Sequence, residues 1–422
     1  MTRLMRPDGL RKSSLWMMGG QLVSVAFQAV YFVQMGRTLG SREYGAFIGV
    51  VAMITVLTQF SSLGMEMILV RNLSRDRASF AETWGNALRI AAVGFLLVLV
   101  AAMVFGRIVF RPEMRRLIPW IAFSDALFGK FVQMASRAFQ GVGNLRYMAR
   151  LTACINAGRA ALAGLLFVYA RNIGGHATAV LWARIYWLSP FTVAIVAAWL
   201  VTSRMGWPRF GPLRRRDLSE GFSFSLSGSS ISLYNDIDKT FLVSLGETYQ
   251  AGIYSAAYRV VDVASAPLYS IYAAATPRLF REGGKSVEHA SALTRRLMLR
   301  TVPYGVLISI CLYCGAGLLP HLFGPTFQGS VQALRWLCVL PLLRVLHYAW
   351  GTTITASASQ WNRTATQLAA AALNLALNAV LIPRWSWQGA AVASLLTDGA
   401  LVLFSWLVLA RIRLRAVPAV AV

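Results

Sequence analysis

The sequence predicts an all-α integral membrane protein, with about twelve transmembrane helices in two six-helix lobes around a central cleft. Three observations predict it. Of the 422 residues, 57% are hydrophobic and only 14% charged, with a mean hydropathy of +0.55. That is far from the balance of a soluble globular chain. Apolar stretches of roughly 20 residues recur along the whole length, each long enough to cross a bilayer as a helix. Short motifs also recur about half a chain apart, the mark of an internal repeat. Twelve crossings of about 22 residues leave only tails and loops, so no soluble catalytic domain fits.

Taken in order, spans are expected at 14–36, 45–70, 87–106, 117–137, 151–170 and 176–201. A basic linker at 203–221, carrying Pro208, Pro212 and Arg214-Arg215-Arg216, then divides the chain. Further spans are expected at 222–246, 252–277, 301–322, 331–358, 364–382 and 388–410. The domains are therefore an N-terminal lobe at 1–202, the linker, and a C-terminal lobe at 222–422. The first apolar run, Leu15–Met35, is too long for a cleavable leader and lacks a small-residue cleavage site, so it reads as the first span.

Charge sets the orientation. The chain has 41 Lys and Arg against 16 Asp and Glu. In a soluble protein that excess would point to nucleic acid; here basic loops facing an anionic cytoplasmic leaflet account for it. With the N-terminus inside, the cytoplasmic segments carry 25 basic residues and the opposite loops 8. Both termini are expected in the cytoplasm. Arg107–Arg116, with four basic residues on the nominal outside, runs against the rule.

The repeat is seen in two places. Leu39-Gly40 followed by Tyr44-Gly45-Ala46 joins the first two spans, and Leu245-Gly246 followed by Ala251-Gly252-Ile253 joins the seventh and eighth. Asn144 and Asn156 are twelve apart, as are Asn362 and Asn374. Six spans repeated in one orientation make two parallel halves, and a cleft between such halves is usually worked by alternating access.

Polar residues inside the spans mark the candidate site. Gln21, Ser24, Gln28 and Tyr31 share one face of the first span, and Thr55, Gln59, Ser62 and Glu66 one face of the second. Interhelical hydrogen bonding or a wet cleft would each explain such stripes; for Gln367, Asn374 and Asn378 in the eleventh span the former is preferred. Phe222–Lys239 is far too polar to face lipid. Lys239 lies seven residues before the turn at Gly246, and Arg259 seven after Gly252; Asp236 and Asp262 lie ten from the same marks. In a hairpin this puts two cations in one layer and an acid about a turn deeper on each helix. Intramembrane charge costs about 2.5–3.5 kcal/mol per residue and tends to be retained for use. Eight intramembrane basic residues face six acids, Glu66, Asp125, Asp236, Asp238, Asp262 and Asp398.

Soluble-enzyme motifs are absent from the sequence. Gly283-Gly284-Lys285-Ser286 looks like the end of a phosphate loop, but position 279 is Leu and a span precedes it. No HExxH occurs. Cys311 and Cys314 form a CxxC inside the apolar run Val306–Leu319, where packing explains them better than zinc or redox chemistry. No cofactor, metal or enzymatic activity is expected.

In Gly36-Arg37-Thr38-Leu39-Gly40 with Tyr44-Gly45, Gly64 through Arg71, Asp236-Ile-Asp238-Lys239, Gly252 through Arg259, Pro277, Phe323-Gly324, Asn374–Asn378 with Pro383, and Gly389-Ala-Ala, the chain resembles the O-antigen and exopolysaccharide flippases. These belong to the multidrug, oligosaccharidyl-lipid and polysaccharide exporter superfamily. The resemblance implies a twelve-helix, two-lobed protein of the bacterial inner membrane that moves undecaprenyl-diphosphate-linked oligosaccharides outward for surface polysaccharide assembly. Its partners would be that lipid-linked substrate and a polysaccharide polymerase with other assembly proteins. Lys239, Arg259, Arg37 and Arg159 are the candidates to hold the anionic head; Glu66, Asp236 and Asp262 are the candidates for coupling or charge pairing. A cation-coupled exporter of small organic molecules is the alternative, and a non-transporting membrane scaffold a third reading. A basic, laterally open cleft favours the first; an aromatic, acidic pocket would favour the second.

Overall fold

In the computed structural model, residues 10–172, 178–357 and 360–416 are described. The protein is an all-α, multi-pass membrane protein, and no strand occurs among the described residues. The helices are α1 (Leu10–Thr58), α2 (Met65–Arg75), α3 (Phe80–Val109), α4 (Pro112–Arg115), α5 (Ile118–Ala122) and α6 (Lys130–Gly141). They continue with α7 (Leu145–Asn172), α8 (Ala179–Tyr186), α9 (Leu188–Met205), α10 (Arg215–Ser244) and α11 (Thr248–Gly283). The last are α12 (Val287–Gly315), α13 (Leu319–Phe323), α14 (Ser330–Leu337), α15 (Leu340–Ser357) and α16 (Gln360–Ala416). Residues Phe123–Gly129 form a π-helical segment between α5 and α6.

Among the described residues, 7 helical segments are long and apolar enough to cross a membrane, from Gly19–Thr58 to Trp361–Leu414. The first of these is 40 residues long and the last 54, more than one crossing needs. Each is broken by its backbone: Gly40 has φ 69° in α1, and Ser386 has φ 52° in α16. The breaks fall between the expected first and second, and eleventh and twelfth, spans. The expected second span is itself interrupted. Helix α1 ends at Thr58, Leu63 and Gly64 take positive φ, and the chain restarts as α2. The apolar pattern continues through this break, which is why the sequence hides it.

The chain forms two compact units, Met1–Ser232 with Lys239–Gly252, and Leu233–Asp238 with Ile253–Val422. In the first unit, α3 carries one face outward: Val93, Leu96, Leu97, Val100, Val104 and Ile108 are exposed, as lipid contact requires. Elsewhere around this helix Trp84, Ala87 and Ile90 are buried in a cluster with Leu69 and Phe139. Cys311 and Cys314 on α12 are also exposed and unbonded, so they lie on an outward face rather than packing inside. The basic run after α3 has a local structural use. Arg115 donates through Nε to the Phe110 carbonyl at 2.8 Å and through Nη2 to the Arg107 carbonyl at 2.9 Å, satisfying the end of the helix.

The repeat motifs meet in the first unit. Gly246, like Gly40, has positive φ, at 86°. Beyond these turns Gly45 and Gly252 lie face to face: a Cβ on Gly45 would collide with the Thr248 carbonyl, and one on Gly252 with the Ser41 carbonyl. Only hydrogen lets the two backbones approach so closely. The paired asparagines act alike too. Asn156 donates to Ser24 Oγ at 2.6 Å in the first unit, and Asn374 to Thr397 Oγ1 at 3.0 Å in the second. Asn378 donates to Asn374 at 2.8 Å, so the eleventh-span stripe is spent on interhelical and intrahelical hydrogen bonds. The phosphate-loop look-alike is a helix junction: Gly283 ends α11, and Ser286 accepts from the His289 N–H to cap α12.

Candidate functional site

In the first unit two charged clusters are built from different helices. Glu66 sits in the first turn of α2, next to the helix N-terminus, where a carboxylate is favoured. Lys130 of α6 donates to it at 2.7 Å, and the Ser62 hydroxyl donates to its other oxygen. Lys130 is 2% exposed and Glu66 7%, so this pair is closed to water. The second cluster gathers at the π-helical segment. Arg159 of α7 donates to Asp125 at 2.5 Å and lies 4.3 Å over the Tyr186 ring, whose hydroxyl donates to the same carboxylate at 3.3 Å. The wider turn of a π segment is a common way to aim a side chain such as Asp125.

The second unit holds a larger network. Arg344 of α15 donates to Asp262 of α11 at 2.9 Å and to the Tyr258 hydroxyl at 2.8 Å, and its Nε lies 3.8 Å from Asp398 of α16. His347, one turn further along α15, stands 3.6 Å from Asp398. Arg259 reaches the other Asp262 oxygen at 3.3 Å. One carboxylate thus serves two guanidiniums. Aromatic rings wall the cluster: Tyr348 lies 5.1 Å from Tyr269, and Arg363 stands 5.7 Å over Tyr348. Nearby, Asp238 is 1% exposed and accepts from the Tyr254 hydroxyl at 2.5 Å, with Ser394 at 3.4 Å.

A family model described as "Polysaccharide biosynthesis protein" matches residues 10–282, more than half of the chain. The chain belongs to the polysaccharide biosynthesis protein family. No curated protein matches it. Solved structures show the same fold. An inward-facing multidrug resistance MATE family transporter of the MOP superfamily aligns with a TM-score of 0.70 at 16% identity, over 96% of this chain and 99% of that one. Its outward-facing counterpart aligns at 0.65 and 16%, over 96% and 97%. A MOP superfamily transporter from Pyrococcus furiosus aligns at 0.66 and 14%, over 95% and 96%.

In this polysaccharide biosynthesis protein the expected site residues are placed as follows. Arg259 and Asp262 are joined on one face of α11, as their spacing requires. Glu66 and Arg159 have found partners, Lys130 and Asp125, that spacing could not pair because they lie 64 and 34 residues away. Lys239 is wholly buried in the first unit, while Asp236, half-buried, belongs to the second. Arg37 is exposed on α1. Sequence reasoning named Asp398 without a role and gave none to Arg344, Tyr258 or His347. Arg344 and His347 share one face of α15 at i, i+3, a signal that was present, but Asp398 joins them only by folding.

Proposed function

We propose that this protein is a flippase, not an enzyme, that moves an undecaprenyl-diphosphate-linked oligosaccharide from the cytoplasmic to the outer leaflet of the bacterial inner membrane. The product would feed surface polysaccharide assembly, by a polymerase and its companion proteins. Membership in the family supports the polysaccharide setting, and the transporter fold supports translocation. The observation that carries the reading is Asp262, on which Arg259 and Arg344 converge at 3.3 and 2.9 Å. Two guanidiniums that share one carboxylate suit a diphosphate, because a guanidinium fork matches phosphate oxygens. In the Pyrococcus furiosus transporter a reversed polarity of the binding pocket suggests a different function; two arginines on one carboxylate would be the corresponding departure here.

In this reading two six-helix lobes, 1–202 and 222–422, alternate access to a cleft, and both termini face the cytoplasm. The termini themselves lie outside the described residues. Lys239, Arg259, Arg37 and Arg159 receive the anionic head. Asp262 and Asp236 hold the cations while the cleft is empty and yield to the substrate. Glu66 is retained as a coupling candidate. The test is reconstitution in vesicles with a polyprenyl-diphosphate-linked saccharide, scoring how much of it becomes accessible on the far side. Wild-type protein should move it, and Arg259→Ala should slow it by about tenfold or more, the worth of a charge-assisted hydrogen bond. Vesicles that leave the saccharide in place yet extrude a lipophilic organic cation with a cation gradient would give the function to the alternative exporter.

A further inference from the structure

The basic segment after α9 is laid across the first unit as an extended strap. The Arg209 N–H donates to the Ala81 carbonyl at 2.8 Å, and the Gly211 N–H to Asn86 Oδ1 at 3.2 Å. Asn86 Nδ2 donates back to the Pro212 carbonyl at 3.3 Å, and Arg89 Nη2 to the Gly211 carbonyl at 2.9 Å. So fixed along α3, the strap turns its apolar side chains outward: Trp207 is 78% exposed and Phe210 69%. Between Ser203 and Arg216 it carries five arginines and no acid. Aromatic rings beside arginines are what a chain presents to a lipid headgroup layer.

Directly beyond the strap lies a concave apolar groove of about 490 Å³. Leu57 and Phe60, where α1 breaks, form one wall; Ile90, Val93 and Leu97 of α3 form the other; Leu213 of the strap closes one end. Its only charged lining residue is Arg89, at the strap end. Both hydrogen bonds that Arg89 makes use Nη2. Its Nε and Nη1 make no hydrogen bond among the described residues, so each can donate to a phosphate oxygen. The groove has an apolar floor and a cationic mouth.

We infer that the groove is a binding site for one anionic phospholipid, its acyl chain against Val93 and Leu97 and its phosphate on Arg89 and the strap arginines. The commitment to a phospholipid rests on charge complementarity with an anionic leaflet, spread over Arg89, Arg204, Arg209, Arg214 and Arg215, rather than on one diphosphate pocket. The site is separate from the charged clusters described above and does not depend on the transport reading.

Native mass spectrometry of the purified full chain tests it, with phosphatidylglycerol, phosphatidylethanolamine and undecaprenyl phosphate offered in equal amounts. Phosphatidylglycerol should be retained in preference. Arg89→Ala should reduce that preference by about fivefold, the worth of one basic residue near an anionic surface. Leu97→Trp, which fills the groove from its exposed side, should abolish retention, whereas Leu165→Trp, exposed on α7, should leave it unchanged. Equal retention of phosphatidylethanolamine, or indifference to both Arg89→Ala and Leu97→Trp, would overturn the site. Preferential retention of undecaprenyl phosphate would overturn the phospholipid assignment.

Discussion

Asp262 accepts from two arginines, and removing each should have a different result. Arg259→Ala leaves the carboxylate held by Arg344, so the protein should insert and melt as wild type while transport falls. Arg344 is only 4% exposed and also faces Asp398. Arg344→Ala should lower stability by about 3–5 kcal/mol, the usual loss when one side of a buried pair goes. Thermal melting in detergent beside vesicle transport reads both. The same sharing means that deleting Asp262 with Arg259 is not a self-contained exchange, since Arg344 then loses one of its acceptors. Glu66 and Lys130 do form a closed pair, and there the double exchange is informative. Glu66→Ala should destabilise by about 3–5 kcal/mol, and Glu66→Leu with Lys130→Met should recover most of it. If the stable double variant also transports normally, Glu66 has no part in coupling. Spacing of three on one helix made the Arg259–Asp262 pair legible; the 64-residue gap between Glu66 and Lys130 did not.

At the scale of the helix, the repeated Gly45 and Gly252 are explained by each other. Two turns bring the same small residue to the same crossing, and the backbones touch where a Cβ would stand. Gly252→Ala should cost roughly 1–3 kcal/mol, as overpacking does, and Gly45→Ala a similar amount. The double substitution should unfold the junction, seen as loss of a single symmetric peak in gel filtration. Equal stability of Gly45→Ala and wild type would mean the helices can part there freely. The sequence revealed the motif and its half-chain offset, but not that its two copies pack together. It also hid the break after Thr58, because a helix that stops at a positive-φ Leu63 keeps its apolar composition across the gap.

For the whole molecule the open question is which loops face which side. Reporter fusions at Ser203 and Ser286 should read cytoplasm, and one at Thr248 the outside. A cytoplasmic reading at Thr248 would invert the second half and remove the parallel repeat. Within Arg107–Arg116, Arg115 has a local use of its own, closing the end of α3.

The sequence by itself determined that the chain is helical and that it crosses a membrane many times, and it displayed motifs recurring half a chain apart. Each is a one-dimensional property: apolar length against bilayer thickness, charge against loop position, motif against offset. Tertiary structure decided which charges are partners. Arg344 with Asp262, Arg159 with Asp125 and Lys130 with Glu66 all join separate helices. Burying one charge in an apolar medium demands an opposite charge nearby, but any helix that can reach may supply it. The requirement was therefore visible in the sequence, and the supplier was not.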